Sequence, residues 1–386
     1  MPKIYAYIGS WGGPRSNHDQ GISIARYDMG KGTFHVLNRV LPEINCGGMC
    51  LDDEKKILYC VNERRQIAGK PPGGEVYALS INSSSGNLKV LSCEPSYGLL
   101  PSYCAVNGDK KYLIITNHSS DDTILETVRT ESGSYQLAEK YSESSVVMYQ
   151  LRPDGTIGKL CDIVKHIPVK KKGNSHVHSV YCSPSGKLLA VCDKGNDTIS
   201  FYRIDSQKEK LVLCDQMSAA EGSSPRYAAF HPAEPYLYFN NETKTIVNMV
   251  RYSANGKMTP ICLVSCLADK NMERTGWQSD IKIHPSGKYI YDLLREDSII
   301  TVYRIDNALG IPQLIQTIAC GSSHGGRGMA ISPDGKFLHL AAHPEDSIYT
   351  FLIGEDGRLE AVRRVDHIPG PGNIVFLRPI IDLVWE

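Results

Sequence analysis

Apolar and polar residues alternate in short runs along most of the chain, and Pro, Gly, Asp and Ser cluster between the runs. In "YCSPSGKLLAVCDKGNDTISFYRI" one run meets a Ser-Pro-Ser-Gly turn, a second run follows, and "TISFYRI" forms a third. A period of two bounded by turn residues predicts antiparallel strands. "IHPSGKYIYDLLREDSIITVYRI" and "ISPDGKFLHLAAHPEDSIYTFLI" repeat the pattern, and "FHPAEPYLYFNNETKTIVNMVRY" is a weaker copy. "LDDEKKILYCVNE" and "VNGDKKYLIITNHSS" are weaker still, and "GNIVFLRP" is the first half of one more. Anchored on the turn proline or its equivalent, the copies fall at Asp53, Gly108, Pro184, Pro232, Pro285, Pro333 and Pro379. The spacings are 55, 76, 48, 53, 48 and 46 residues.

Multi-strand repeats with a period near 50 predict a β-propeller. The expected fold is all-β, one seven-bladed propeller domain over residues 1–386. The last copy stops after its first strand, so "KIYAYIG" from the start of the chain is expected to complete that blade and cover its sheet edge. The wide spacing holds an insertion at about 119–144, read as a polar surface excursion.

A hairpin brings residues equidistant from its turn to one end. The position six before each anchor and the position ten after it therefore gather at one mouth of the channel. The first set is Gly47, Ser102, His178, Arg226, Ser279, Arg327 and Asn373; the second is Glu63, His118, Lys194, Glu242, Arg295 and His343, with Trp11 as its seventh member. Charged and hydrogen-bonding residues dominate both sets, whereas the strands between are apolar. His178, Arg226, Glu242 and Arg295 come from consecutive copies and are expected to face one another as the catalytic group. A histidine beside a glutamate can move protons near neutral pH. Guanidinium groups bind carboxylate or phosphate through paired hydrogen bonds and stabilise an oxyanion. His118, Arg327, His343, Glu63 and Lys194, with His176 beside His178, are expected to line the substrate. No nucleophile-elbow or serine-triad motif is present.

Composition narrows the partners. Lys plus Arg and Asp plus Glu both total 42, and the pI is about 7.2, which argues against a broad nucleic-acid footprint. No window is long and apolar enough for a membrane span. The start, "MPKIYAYIGSWGG", reads as a strand and a glycine turn rather than a signal peptide. The twelve cysteines form no Cys-Xaa-Xaa-Cys pair; Cys46/Cys50 and Cys262/Cys266 are more widely spaced. Several lie in strand-like runs, so reduced, mostly buried thiols and a cytoplasmic location are expected. His118, His176, His178, His324 and His343 could offer nitrogen ligands, but only "HVH" supports a metal, and no metal or other cofactor is expected. Lys170, Lys171 and Lys172 could reach a substrate phosphate if their loop folds over the mouth.

"YIGSW", "LYCVNE", "HVHSVYCSPSGKLL", "PRYAAFHPAEPYLYFNNE" and "SDIKIHPSGKYIY" together resemble the seven-bladed lactonases. That family includes propeller-type 6-phosphogluconolactonases and the fungal enzyme that cyclises 3-carboxy-cis,cis-muconate. The resemblance spans nearly the whole chain. In the muconate-cyclising relatives a histidine, two arginines and a glutamate are assigned to the active site, and the motifs place them at His178, Arg226, Arg295 and Glu242. "LLRED" stands where many relatives have an Asn-Arg-Gly turn. The resemblance implies hydrolysis of a small anionic sugar-acid lactone, with 6-phosphogluconolactone the default. Water would be activated by Glu242 or His178 while arginines hold the anion. The alternatives are cycloisomerisation of a carboxymuconate-like or sugar acid, and a non-catalytic interaction propeller.

Overall fold

The Ser-Pro-Xaa-Gly and His-Pro-Xaa-Gly copies close hairpins. The amide of Gly186 bonds the Ser183 carbonyl at 2.8 Å, Gly287 bonds His284 at 2.8 Å and Gly335 bonds Ser332 at 2.9 Å. These glycines have φ of 73°, 74° and 75°, a left-handed conformation that side chains disfavour. The flanking runs pair antiparallel, as in Val177–Cys182 with Leu189–Asp193 and Gln278–Ile283 with Tyr289–Leu294. The structure, a computed structural model, describes residues 4–12, 21–169, 173–267, 276–323 and 325–378.

Seven four-stranded sheets form, one for each anchor. Blades 1 to 6 span residues 49–95, 101–166, 177–218, 225–265, 278–319 and 328–365. The first strand of each is innermost, and these strands touch their neighbours around a closed ring. Blade 7 takes its innermost strand, Pro371–Leu377, from the far end of the chain and its other three, Ile4–Ser10, Ile22–Asp28 and Thr33–Val40, from the start. Tyr7 lies opposite Val375 in that closure. The anchor Pro379 lies outside the described residues.

The insertion lies at the surface. It is a two-stranded hairpin, Ile124–Arg129 with Tyr135–Lys140, between the second and third strands of blade 2. It is not simply polar, because Ile124, Leu125, Tyr135 and Leu137 are each more than half exposed.

Seven apolar clusters hold the ring, one between each pair of adjacent blades. Repeated polar links lie beside them. Tyr7, Tyr59, Tyr238 and Tyr291, all buried, donate their hydroxyls to the carbonyls of Gly86, Gly155, Gly310 and Gly357 in the next blade. His231 and His284 bond the turn carbonyls of Gly287 and Gly335, each at 2.9 Å. All twelve cysteines are free thiols; six are buried and six half-buried, fewer buried than expected.

Candidate active site at the channel mouth

Four of the mouth positions lie in β-bulges. Pairing of the first two strands slips between Val177 and Ser179, between Pro225 and Ala228, between Gln278 and Ile281, and between Pro101 and Tyr103. The skipped residues include His178, Arg226, Ser279 and Ser102. A bulge re-aims a side chain and ends regular pairing. Serine hydroxyls tie each bulge to the next blade: Ser102 donates to the His178 carbonyl at 2.7 Å, Ser179 to that of Arg226 at 2.7 Å, and Ser279 to that of Arg327 at 2.6 Å. Arg226 Nη1 closes the remaining step by donating to the Ser279 carbonyl.

Glu242 is the centre of a first charged cluster. Its Oε2 meets Lys194 Nζ at 2.6 Å and Arg226 Nε at 3.0 Å, and its Oε1 lies 3.7 Å from Arg295 Nη2. The side chains of Glu242, Lys194 and Arg295 are 15–17% exposed, whereas Arg226 is buried. Burial alone would raise the Glu242 carboxyl, but Lys194, Arg226 and Arg295 outweigh it and hold the group far below the usual carboxylate range. Burial and Arg226 bring Arg295 down to about 10, still a cation at neutral pH. Three cations thus face one carboxylate, and the cluster carries excess positive charge.

Glu63 is the centre of a second cluster. Its Oε2 accepts from Trp11 Nε1 at 2.8 Å and from Arg327 Nη2 at 3.0 Å. Arg327 lies 3.6 Å above the Trp11 ring, a cation–π stack, and His343 meets the edge of that ring at 5.2 Å. Two glycines make this cluster possible. A Cβ on Gly47 would lie 2.4 Å from Glu63 Oε2 and 2.9 Å from Trp11 Cδ1, and one on Gly372 would lie 2.8 Å from Trp11 Cβ. Gly47, the one ring position without a side chain, therefore provides space.

The remaining histidines pack close to these clusters. His178 is buried, its Nδ1 has no hydrogen-bond partner among the described residues, and its ring packs on Tyr227 at 5.0 Å and His118 at 5.7 Å. Burial, with Arg226 and Lys194 nearby, keeps it neutral well below the ordinary histidine range. His118 stacks on His176 at 4.4 Å. Both nitrogens of His176 are occupied, Nδ1 at 2.9 Å from the His118 carbonyl oxygen and Nε2 at 3.2 Å from Asp121 Oδ1. Burial, with Arg327, Arg295 and Arg226 nearby, lowers His343 to about 3. No group of three or more His, Cys, Asp or Glu suited to a metal occurs among the described residues. His324, Lys170, Lys171 and Lys172 lie outside those residues.

All ten expected site residues therefore stand at one mouth. Seven belong to two largely buried clusters around Glu242 and Glu63, and His118, His176 and His178 pack beside them. Sequence reasoning missed the aromatic supports: Trp277 beneath Arg295 at 4.9 Å and Tyr227 beneath Arg226 at 4.8 Å. Tryptophan is scarce here, three in the chain, and its occurrence at two strand ends of the mouth was the available signal.

A family model described as "Lactonase, 7-bladed beta-propeller" matches residues 6–376. The chain belongs to that family. It is 26% identical over 360 residues to a 6-phosphogluconolactonase of Formosa agariphila, covering 88% of this chain and 90% of that protein. A 6-phosphogluconolactonase of Serratia proteamaculans is 23% identical over 301 residues, covering 77% and 87%. The solved periplasmic gluconolactonase of Pseudomonas aeruginosa superposes with a TM-score of 0.82 at 21% identity, covering 97% of this chain and 99% of the other. At that identity the superposition establishes the shared fold of these lactonase-family chains.

Proposed function

We propose that the chain hydrolyses a small anionic sugar-acid lactone, with 6-phosphogluconolactone the leading candidate. The observation that carries this reading is the excess of positive charge around Glu242, next to a histidine kept neutral. Arg226, Arg295 and Lys194 bind the substrate's anionic group and the oxyanion that forms at the attacked carbonyl. His178 takes the proton from the attacking water, because its ring stays neutral across the neutral range and a neutral imidazole has one nitrogen able to accept a proton. Glu242, held anionic by three cations, is too weak a base for that task and instead fixes the arginines in place. Relatives named 6-phosphogluconolactonase support the substrate class.

Acid release from phosphorylated and unphosphorylated aldonolactones, corrected for spontaneous hydrolysis, tests the proposal. The expected result is catalysis, strongest on an anionic lactone. Catalysis of an unsaturated diacid to a lactone, with no lactone hydrolysed, would favour cycloisomerisation instead. The reading extends to a reducing, cytoplasmic compartment, which the unpaired cysteines support. Denatured protein prepared without reductant is expected to titrate twelve thiols, and a count well below twelve would contradict that location.

A further inference from the structure

Hydrolysis of a lactone needs a second proton transfer that His178 and Glu242 leave unassigned. When the ring C–O bond breaks, the ring oxygen departs with the electron pair, and an aliphatic alkoxide leaves poorly unless it is protonated. Resting on the lactonase reading above, we propose that Glu63 is the general acid that protonates this leaving oxygen.

Geometry supports the assignment. Trp11 Nε1 and Arg327 Nη2 both donate to Oε2 of Glu63, and no described residue bonds its Oε1. A neutral carboxyl fits this arrangement: Oε2 is the carbonyl oxygen and Oε1 carries a transferable proton. Once the proton has left, the same two donors stabilise the carboxylate. Glu63 is also less strongly paired than Glu242, with one arginine in contact rather than two cations in contact and a third close by. The groups facing Glu63 are Arg327 and Trp11, with Arg226 and Lys194 beyond them and His343 against the Trp11 ring. Burial outweighs their pull and raises the carboxyl above its usual range. The mouth thus holds two glutamates pushed in opposite directions, a pattern that separates an acid from an anion. The space left by Gly47 and Gly372 marks the Glu63–Trp11–Arg327 group as a built feature.

The reaction balances as follows. Water oxygen bonds the carbonyl carbon and its proton passes to His178. The ring C–O bond breaks and the ring oxygen takes the Glu63 proton. Proton exchange through solvent returns His178 to neutral and Glu63 to its acid form, leaving lactone plus water converted to hydroxy acid.

The test compares wild type and Glu63→Gln on glucono-δ-lactone, which expels an aliphatic alkoxide, and on dihydrocoumarin, which expels a phenolate. On the aliphatic lactone, kcat should fall by roughly 10²–10⁴. On dihydrocoumarin the loss should be much smaller, since a phenolate needs no acid. Equal losses on both would overturn the assignment while leaving the lactonase reading intact. Wild-type inactivity on every lactone would overturn the lactonase reading and this inference with it. Trp11→Phe keeps the ring under Arg327 but removes one donor to Oε2. Loss of that donor favours the protonated carboxyl, so the basic limb of the pH–rate profile should move to higher pH. This variant decides the matter if Glu63→Gln does not fold, and an unmoved limb would overturn the proposal.

Discussion

His178 and Glu242 are equivalent as proton acceptors in the sequence and differ in what surrounds them. Three cations converge on Glu242, whereas a nitrogen of His178 has no partner among the described residues. Two consequences can be measured. His178→Asn should lower kcat by roughly 10²–10⁴. In the wild type, the acid limb of kcat/KM should lie below the ordinary histidine range, because a depressed pKa keeps the base neutral to lower pH. Glu242→Gln should leave that limb in place and raise KM for anionic lactones, since it releases Arg226 and Lys194 from their fixed positions. A limb that disappears in Glu242→Gln and persists in His178→Asn would reverse the two roles. Gly47→Ala offers a separate check. Its methyl would displace Glu63 and Trp11, so activity should fall while the melting temperature changes little. Unaltered activity would show that the spacing around Glu63 is not needed. The mouth positions were legible because hairpin register fixes them. Their partners were not: Arg327 and Glu63 are 264 residues apart and meet only when the ring closes.

At the scale of elements, the turns were the most legible feature. Glycine at the end of each Pro-Xaa-Gly turn meets a backbone requirement that few other residues satisfy. The bulges were not legible, because a skipped residue at His178 or Arg226 leaves the apolar alternation around it unchanged. The two strands of the blade 2 insertion were not legible for a different reason. In Ile124–Arg129, Ile124, Glu126 and Val128 share one face, and Leu125, Thr127 and Arg129 the other, so apolar residues fall on both sides. Its base is tied to the mouth by Arg65 with Asp122 and by Asp121 with His176, whereas its strands are largely exposed. Replacing residues 124–140 by a short glycine turn should therefore leave cooperative thermal unfolding intact. Loss of the cooperative transition would show that the hairpin helps hold blade 2.

The whole molecule couples these features through closure. Blade 7 joins the two ends of the chain, and an apolar cluster lies between each pair of adjacent blades. Burial also keeps several histidines neutral in the folded ring. His339, bonded to Tyr27 and Thr350, and His343 are both lowered to about 3, and His118 and His178 are lowered too. Unfolded histidines take up protons near 6.5 while the folded ones do not. Their contribution to stability is thus complete above about pH 6.5 and declines as pH falls from there toward 3. Melting temperature should drop between pH 7 and pH 5, with a smaller drop in His339→Asn; a flat or rising profile would contradict this.

The most direct measurement is the kcat/KM of wild type and Arg226→Lys on matched anionic and neutral lactones. Lysine keeps the charge but loses the planar guanidinium that bonds Glu242 through Nε and the Ser279 carbonyl through Nη1. Wild type should hydrolyse both lactones and prefer the anionic one, and Arg226→Lys should lose most of that preference through a higher KM. A wild type that releases no acid from either lactone, or an Arg226→Lys variant with the preference unchanged, would contradict this.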